Sequence, residues 1–147
     1  MKIFKILGLF LVLTVPALIT LSCANTSANI IEGTVSTTET GVTSLSKNFI
    51  INNKALARRL QIIDVQANQV GNLIQVQAVL KNRKKKTINF EYQIEWFNRD
   101  GIKIDYPTQL WTPTLIYGLD KAYLQGVAPD SRARGFKIHI RKSQPIE

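Results

Sequence analysis

Two residue types that carry much of protein chemistry are nearly missing: the 147-residue chain has one cysteine, Cys23, and one histidine, His139. A single thiol closes no intramolecular disulfide, so the fold must rest on its apolar core. Also missing are a glycine-rich phosphate loop, a nucleophile elbow and any metal-ligand spacing. Only eight acidic residues follow position 47. These shortages point away from an enzyme and call for no catalytic residue, no metal and no cofactor. The apolar run Ile6 to Leu21 is 16 residues long and broken by Pro16. A transmembrane helix needs roughly 18–20.

What is present begins with MKIFK, two lysines ahead of that run, which is the anatomy of an export signal. The run ends at Cys23, preceded by Thr20, Leu21 and Ser22, an arrangement close to the bacterial lipobox except that leucine sits two residues before the cysteine instead of three. On this reading residues 1–22 are a lipoprotein signal peptide and Cys23 takes the lipid. Ala24 after the cysteine directs the protein to the outer membrane, facing the periplasm. Two arrangements compete with it. A signal peptidase cutting after Ala24 or Ala28 would secrete the chain, and an uncleaved signal would hold it in the inner membrane.

Residues 24–47 are dominated by Ser, Thr, Asn and Gly. Such a composition predicts a flexible tether, with an end-to-end distance of about 27 Å. The remaining residues, 48–147, suffice for one core. They alternate. Ile88, Phe90, Tyr92, Ile94 and Trp96 oppose Asn89, Glu91, Gln93 and Glu95; Ile74, Val76, Ala78 and Leu80 oppose Gln75 and Gln77; and Phe136, Ile138 and Ile140 oppose Lys137, His139 and Arg141. Turn sequences NQVGN, NRKKK, NRDG, YGLDK and APDSRARG punctuate these runs. Clean alternation with turns at this spacing predicts an all-β fold, an immunoglobulin-like antiparallel β-sandwich of seven to eight strands. The segment KALARR at 54–59 can make one helical turn.

Three groups are candidates for function. Arg83, Lys84, Lys85 and Lys86 stand together on an expected hairpin turn. They serve either as a solubilising loop or as a contact for an anionic surface such as lipid headgroups, glycan or an acidic partner. With residues 1–22 removed the chain has 17 basic and 10 acidic residues, net +7. Nucleic acid is excluded as a partner by the expected compartment and by the lack of aromatic residues within the basic run. The stretch Tyr106 to Tyr117, YPTQLWTPTLIY, is the second. Its two prolines mark an edge strand or crossover, with Trp111 and Leu115 in the core or with Trp111, Tyr106 and Tyr117 on an exposed, partner-anchoring surface. The third is a group of titratable side chains: His139 between two cations, and Glu91 and Glu95 about 13 Å apart along one strand. These are expected to be solvated surface residues.

The segments RRLQIIDV (58–65), EWFNRDG (95–101), LWTPTLIYG (110–118) and GVAPDSRARGFKIHIR (126–141) resemble the YcfL-type family of small bacterial envelope lipoproteins. The resemblance implies a periplasm-facing β-sandwich on an outer-membrane lipid anchor, and it transfers no catalytic or ligand residue. The expected role is therefore a non-enzymatic accessory module that binds an envelope protein partner. The alternative is direct binding of anionic cell-wall glycan or lipid headgroups through the basic loops.

Overall fold

Period-two patterning of apolar side chains decides the architecture. The structure is a computed structural model that describes residues 27–39, 41–107 and 110–143. The expected signal peptide and Cys23 lie outside them. Among the described residues no helix is long and apolar enough to cross a membrane. The strands in chain order are β1 (Asn29–Thr38), β2 (Gly41–Ile50), β3 (Leu60–Val70), β4 (Leu73–Asn82), β5 (Ile88–Phe97), β6 (Lys103–Ile104), β7 (Thr112–Ile116), β8 (Lys121–Val127) and β9 (Gly135–Lys142). One short helix, α1 (Lys54–Ala57), falls inside the KALARR segment, with Asn53 as its N-cap.

The larger sheet has the order β2-β1-β9-β5-β6, with β7 also paired to β5, and the smaller sheet has the order β3-β4-β8. Every pairing is antiparallel. The fold is thus the expected all-β antiparallel sandwich, with nine strands among the described residues where seven to eight were expected. Ile31, Phe90, Trp96, Phe136 and Ile138 from the larger sheet meet Val76, Leu80 and Leu124 from the smaller one, all at or near zero exposure. Truncating any one of the three aromatics to alanine is expected to cost about 3–5 kcal/mol.

The tether reading of residues 24–47 is corrected by β1 and β2. β1 is an interior strand, paired to β2 on one side and to β9 on the other, and its Ile31 and Val35 are buried. Composition concealed this because the polar Ser and Thr occupy the outward positions, while only Val42 and Leu45 of β2 pack against the core. The readable signal was the β-branched content on either side of Glu39 and Gly41, which favours a pleated hairpin. The sandwich therefore begins at Asn29, well before residue 48.

Strand polarity fixes two ends. At one end β1 enters, β2 leads into α1, the basic loop 83–87 joins β4 to β5, and residues 117–120 join β7 to β8. At the other end lie the β1–β2, β3–β4, β5–β6 and β8–β9 turns.

Candidate functional site

The turns at the first end, residues 51–59, 83–87 and 117–120, carry Lys54, Arg58, Arg59 and Arg83 to Lys86, seven cations, against the single carboxylate of Asp120. The turns at the opposite end, at 39, 71–72, 98–102 and 128–134, carry three cations and three carboxylates among the described residues. Arg83, Lys84, Lys85 and Lys86 are all exposed, as are Lys54 and Arg58. Backbone contacts gather these segments: Arg83 N donates to Arg59 O at 2.8 Å, and Leu119 N donates to Lys84 O at 3.0 Å.

Asn82 organises this end from beneath. Its side chain is fully buried. Its Nδ2 donates to Lys86 O at 2.8 Å and Tyr117 O at 3.0 Å, with Ile116 O at 3.4 Å, and its Oδ1 accepts from Lys84 N at 3.0 Å. One amide thus ties the basic loop to the β7–β8 turn and satisfies groups that would otherwise be buried without partners. Gly118 permits the contact, since a Cβ there would lie 1.8 Å from Lys85 O. The next residue, Leu119, has φ of 66°, a left-handed conformation that costs a branched, non-glycine residue about 1 kcal/mol or more, and its side chain faces solvent.

Trp111 lies elsewhere. It is half-buried on the outer face of the larger sheet, with the Arg141 guanidinium carbon 3.8 Å from its ring centroid and the His139 ring edge-on at 6.5 Å. Of the two placements left open for this stretch, the core one does not hold: Leu115 is exposed, and Trp111 covers an outward cation. Tyr106 is also half-buried, and its hydroxyl donates to Ile94 O at 2.6 Å, on the stretch of the β5 edge that lies between its pairings with β7 and β6. Tyr117 alone of the three aromatics joins the basic end, exposed beside Leu119.

The acidic residues read as solvated are in fact partnered. Arg141 Nε donates to Glu91 Oε2 at 2.9 Å. Glu95 accepts from Lys103 Nζ at 2.9 Å through Oε1 and from His139 Nε2 at 2.8 Å through Oε2. Burial alone would raise the Glu95 pKa, but hydrogen bonds from Lys103 and His139 outweigh it and hold the carboxyl below the ordinary range. Burial, with the Glu95 charge adding to it, pushes the Tyr106 hydroxyl up. This ladder is a cross-strand structural feature, and its charges are largely neutralised by one another. Lys54, Arg58, Asn82 and Leu119 were not singled out from sequence. The asparagine that opens NRKKK was the available sign, because such a residue turns the backbone two positions on.

Fold and site together define an antiparallel β-sandwich with one strongly cationic end and a charge-paired outer sheet face. Residues 47–142 match the family described as protein of unknown function (DUF1425), and the chain belongs to that family. Among solved structures it is similar to a DUF1425 family member from Shewanella sp. pv-4, with 11% identity, a TM-score of 0.54, and coverage of 76% of this chain and 98% of that one. It is also similar to Campylobacter jejuni cj0090, with 18% identity, a TM-score of 0.50, and coverage of 56% and 85%. At these identities the likeness is one of fold. No curated protein matches the chain in sequence.

Proposed function

We propose that the chain is a non-enzymatic outer-membrane lipoprotein of the YcfL type, anchored through acylated Cys23, whose periplasmic β-sandwich binds phosphate-bearing anionic envelope material through its basic end. The observation that carries this reading is the convergence of seven cations and one carboxylate on three turns, two of them fastened together by Asn82 and the third joined through the Arg83 N to Arg59 O bond. Cations clustered at one end raise the local potential and favour anionic ligands. The non-enzymatic assignment is supported by the ladder, which engages Glu91, Glu95 and His139 as structural partners.

The test is calorimetry on the full chain with inorganic polyphosphate and with short-chain phosphatidylglycerol as probes. Binding is expected to weaken steeply with added salt and to fall at least about ten-fold when Arg83, Lys84, Lys85 and Lys86 are replaced by glutamine. Binding that ignores both changes sinks the reading. Acylation is tested separately, by the mass of the chain purified from membranes and by its release in Cys23→Ala.

A second reading, an envelope protein partner, is favoured by the exposure of Leu110, Leu115 and Tyr117 along the β7 edge. Leu115→Asp would abolish capture of such a partner without altering the salt-dependent binding.

A further inference from the structure

We infer that the basic end is a membrane-docking surface, and that its occupant is the anionic headgroup layer of the bilayer that carries the chain's own anchor. The inference rests on the anion-binding reading above and names the source of the anion. Three features point to it, and the first and third play no part in the binding reading.

The first is where the chain enters. Asn29, the first residue of β1, sits at the basic end; its Nδ2 donates to Asn53 O at 3.1 Å, and the neighbouring Ala28 carbonyl accepts from Asn52 Nδ2 at 2.9 Å. Cys23 precedes Ala28 by five residues. Five residues reach at most about 18 Å whatever their conformation. A lipid on Cys23 therefore brings the basic end toward the headgroups and leaves the charge-balanced end pointing away.

The second is the charge contrast itself. The end nearest the expected anchor has six more cations than carboxylates on its turns, while the opposite end is neutral. Each basic residue close to an anionic membrane surface strengthens binding about five-fold, and the effect extends only over a Debye length. Placement near the surface is thus required for these charges to act, and the short connection supplies it.

The third is apolar. Ile51, Tyr117 and Leu119 are 48%, 66% and 54% exposed among these cations. Leu119 is held in a backbone conformation that glycine would adopt without strain, and it projects a branched hydrocarbon side chain where nothing in the protein covers half of it. Basic side chains interleaved with tyrosine and aliphatic residues suit the headgroup and upper acyl region of a bilayer. A soluble polyanion or glycan has no use for Ile51 and Leu119.

The experiment is in-cell photocrosslinking of the full chain, with a benzophenone amino acid at Leu119 or, as the opposite-end control, at Asn72, and with adducts resolved by mass spectrometry. Phospholipid adducts are expected at position 119 in at least ten-fold excess over position 72. That excess is expected to vanish when Arg83 to Lys86 are replaced by glutamine in a chain that retains its cooperative thermal transition. Equal lipid yields at the two positions, or no lipid adduct at position 119, overturn the inference. Glycan adducts at position 119 that disappear in the glutamine variant would overturn the bilayer assignment and leave anion binding standing. Protein adducts alone, unaffected by the variant, would overturn both.

Discussion

Asn82 shows how a single side chain can set the shape of a surface it never reaches. Its amide contacts the carbonyls of two separate turns, so the positions of Lys84, Lys86 and Tyr117 all depend on it. Removing a buried group that satisfies several others costs more than the bonds it makes, because their desolvation is no longer offset. Asn82→Ala is therefore expected to destabilise the fold by about 2–4 kcal/mol. Denaturant titration gives the magnitude, and faster hydrogen exchange at the Lys84 and Leu119 amides would show that both turns loosen together. A loss below about 1 kcal/mol, or exchange that accelerates at one turn only, would rule out the organising role. The basic run was legible in the sequence because like charges in a row need no context. The amide beneath it was not, because burial of an asparagine is a property of the finished fold.

At the scale of elements, the ladder across β5, β6 and β9 converts alternating charges into cross-strand pairs. Register made it: Glu91 lies opposite Arg141, and Glu95 lies one diagonal from His139. Sequence showed which residues face outward on each strand, but the partner strand and the offset are decided by tertiary pairing. The Trp111 stretch was ambiguous for the same reason, as its ring found Arg141 on a strand 30 residues away. The ladder has a defined acid signature. The folded pKa of Glu95 lies below its ordinary value of 4.5, so the ionised carboxylate contributes its stabilisation in full above that value. The contribution is lost as pH falls through the folded pKa. Glu95→Gln is expected to lower the urea midpoint at pH 7, and the gap from the unsubstituted protein should narrow steadily between about pH 5 and pH 3. A gap that stays constant over that range would remove the carboxylate's charge from the account.

For the molecule as a whole, the consequential strand is the one that composition hid. The strong alternations at 74–80, 88–96 and 136–140 were enough to give the sandwich and its core, whereas β1 has only Ile31 and Val35 as deeply buried aliphatic residues within a Ser/Thr-rich run. Its position between β2 and β9 makes it part of the sheet and not an appendage. A fragment of residues 48–147 leaves the β9 edge and the Phe136 and Ile138 side chains uncovered. It is expected to lack the cooperative thermal transition that residues 27–147 retain, as read by circular dichroism; a cooperative 48–147 fragment would show β1 to be dispensable. The same placement governs how the protein bears force. Tension between an attachment on the N-terminal side and anything held at the opposite end runs along β1, which is bonded to antiparallel neighbours on both flanks. Hydrogen bonds perpendicular to that pull share the load in shear and do not open one after another, so the strand that joins the sandwich to its upstream segment is also its mechanical clamp.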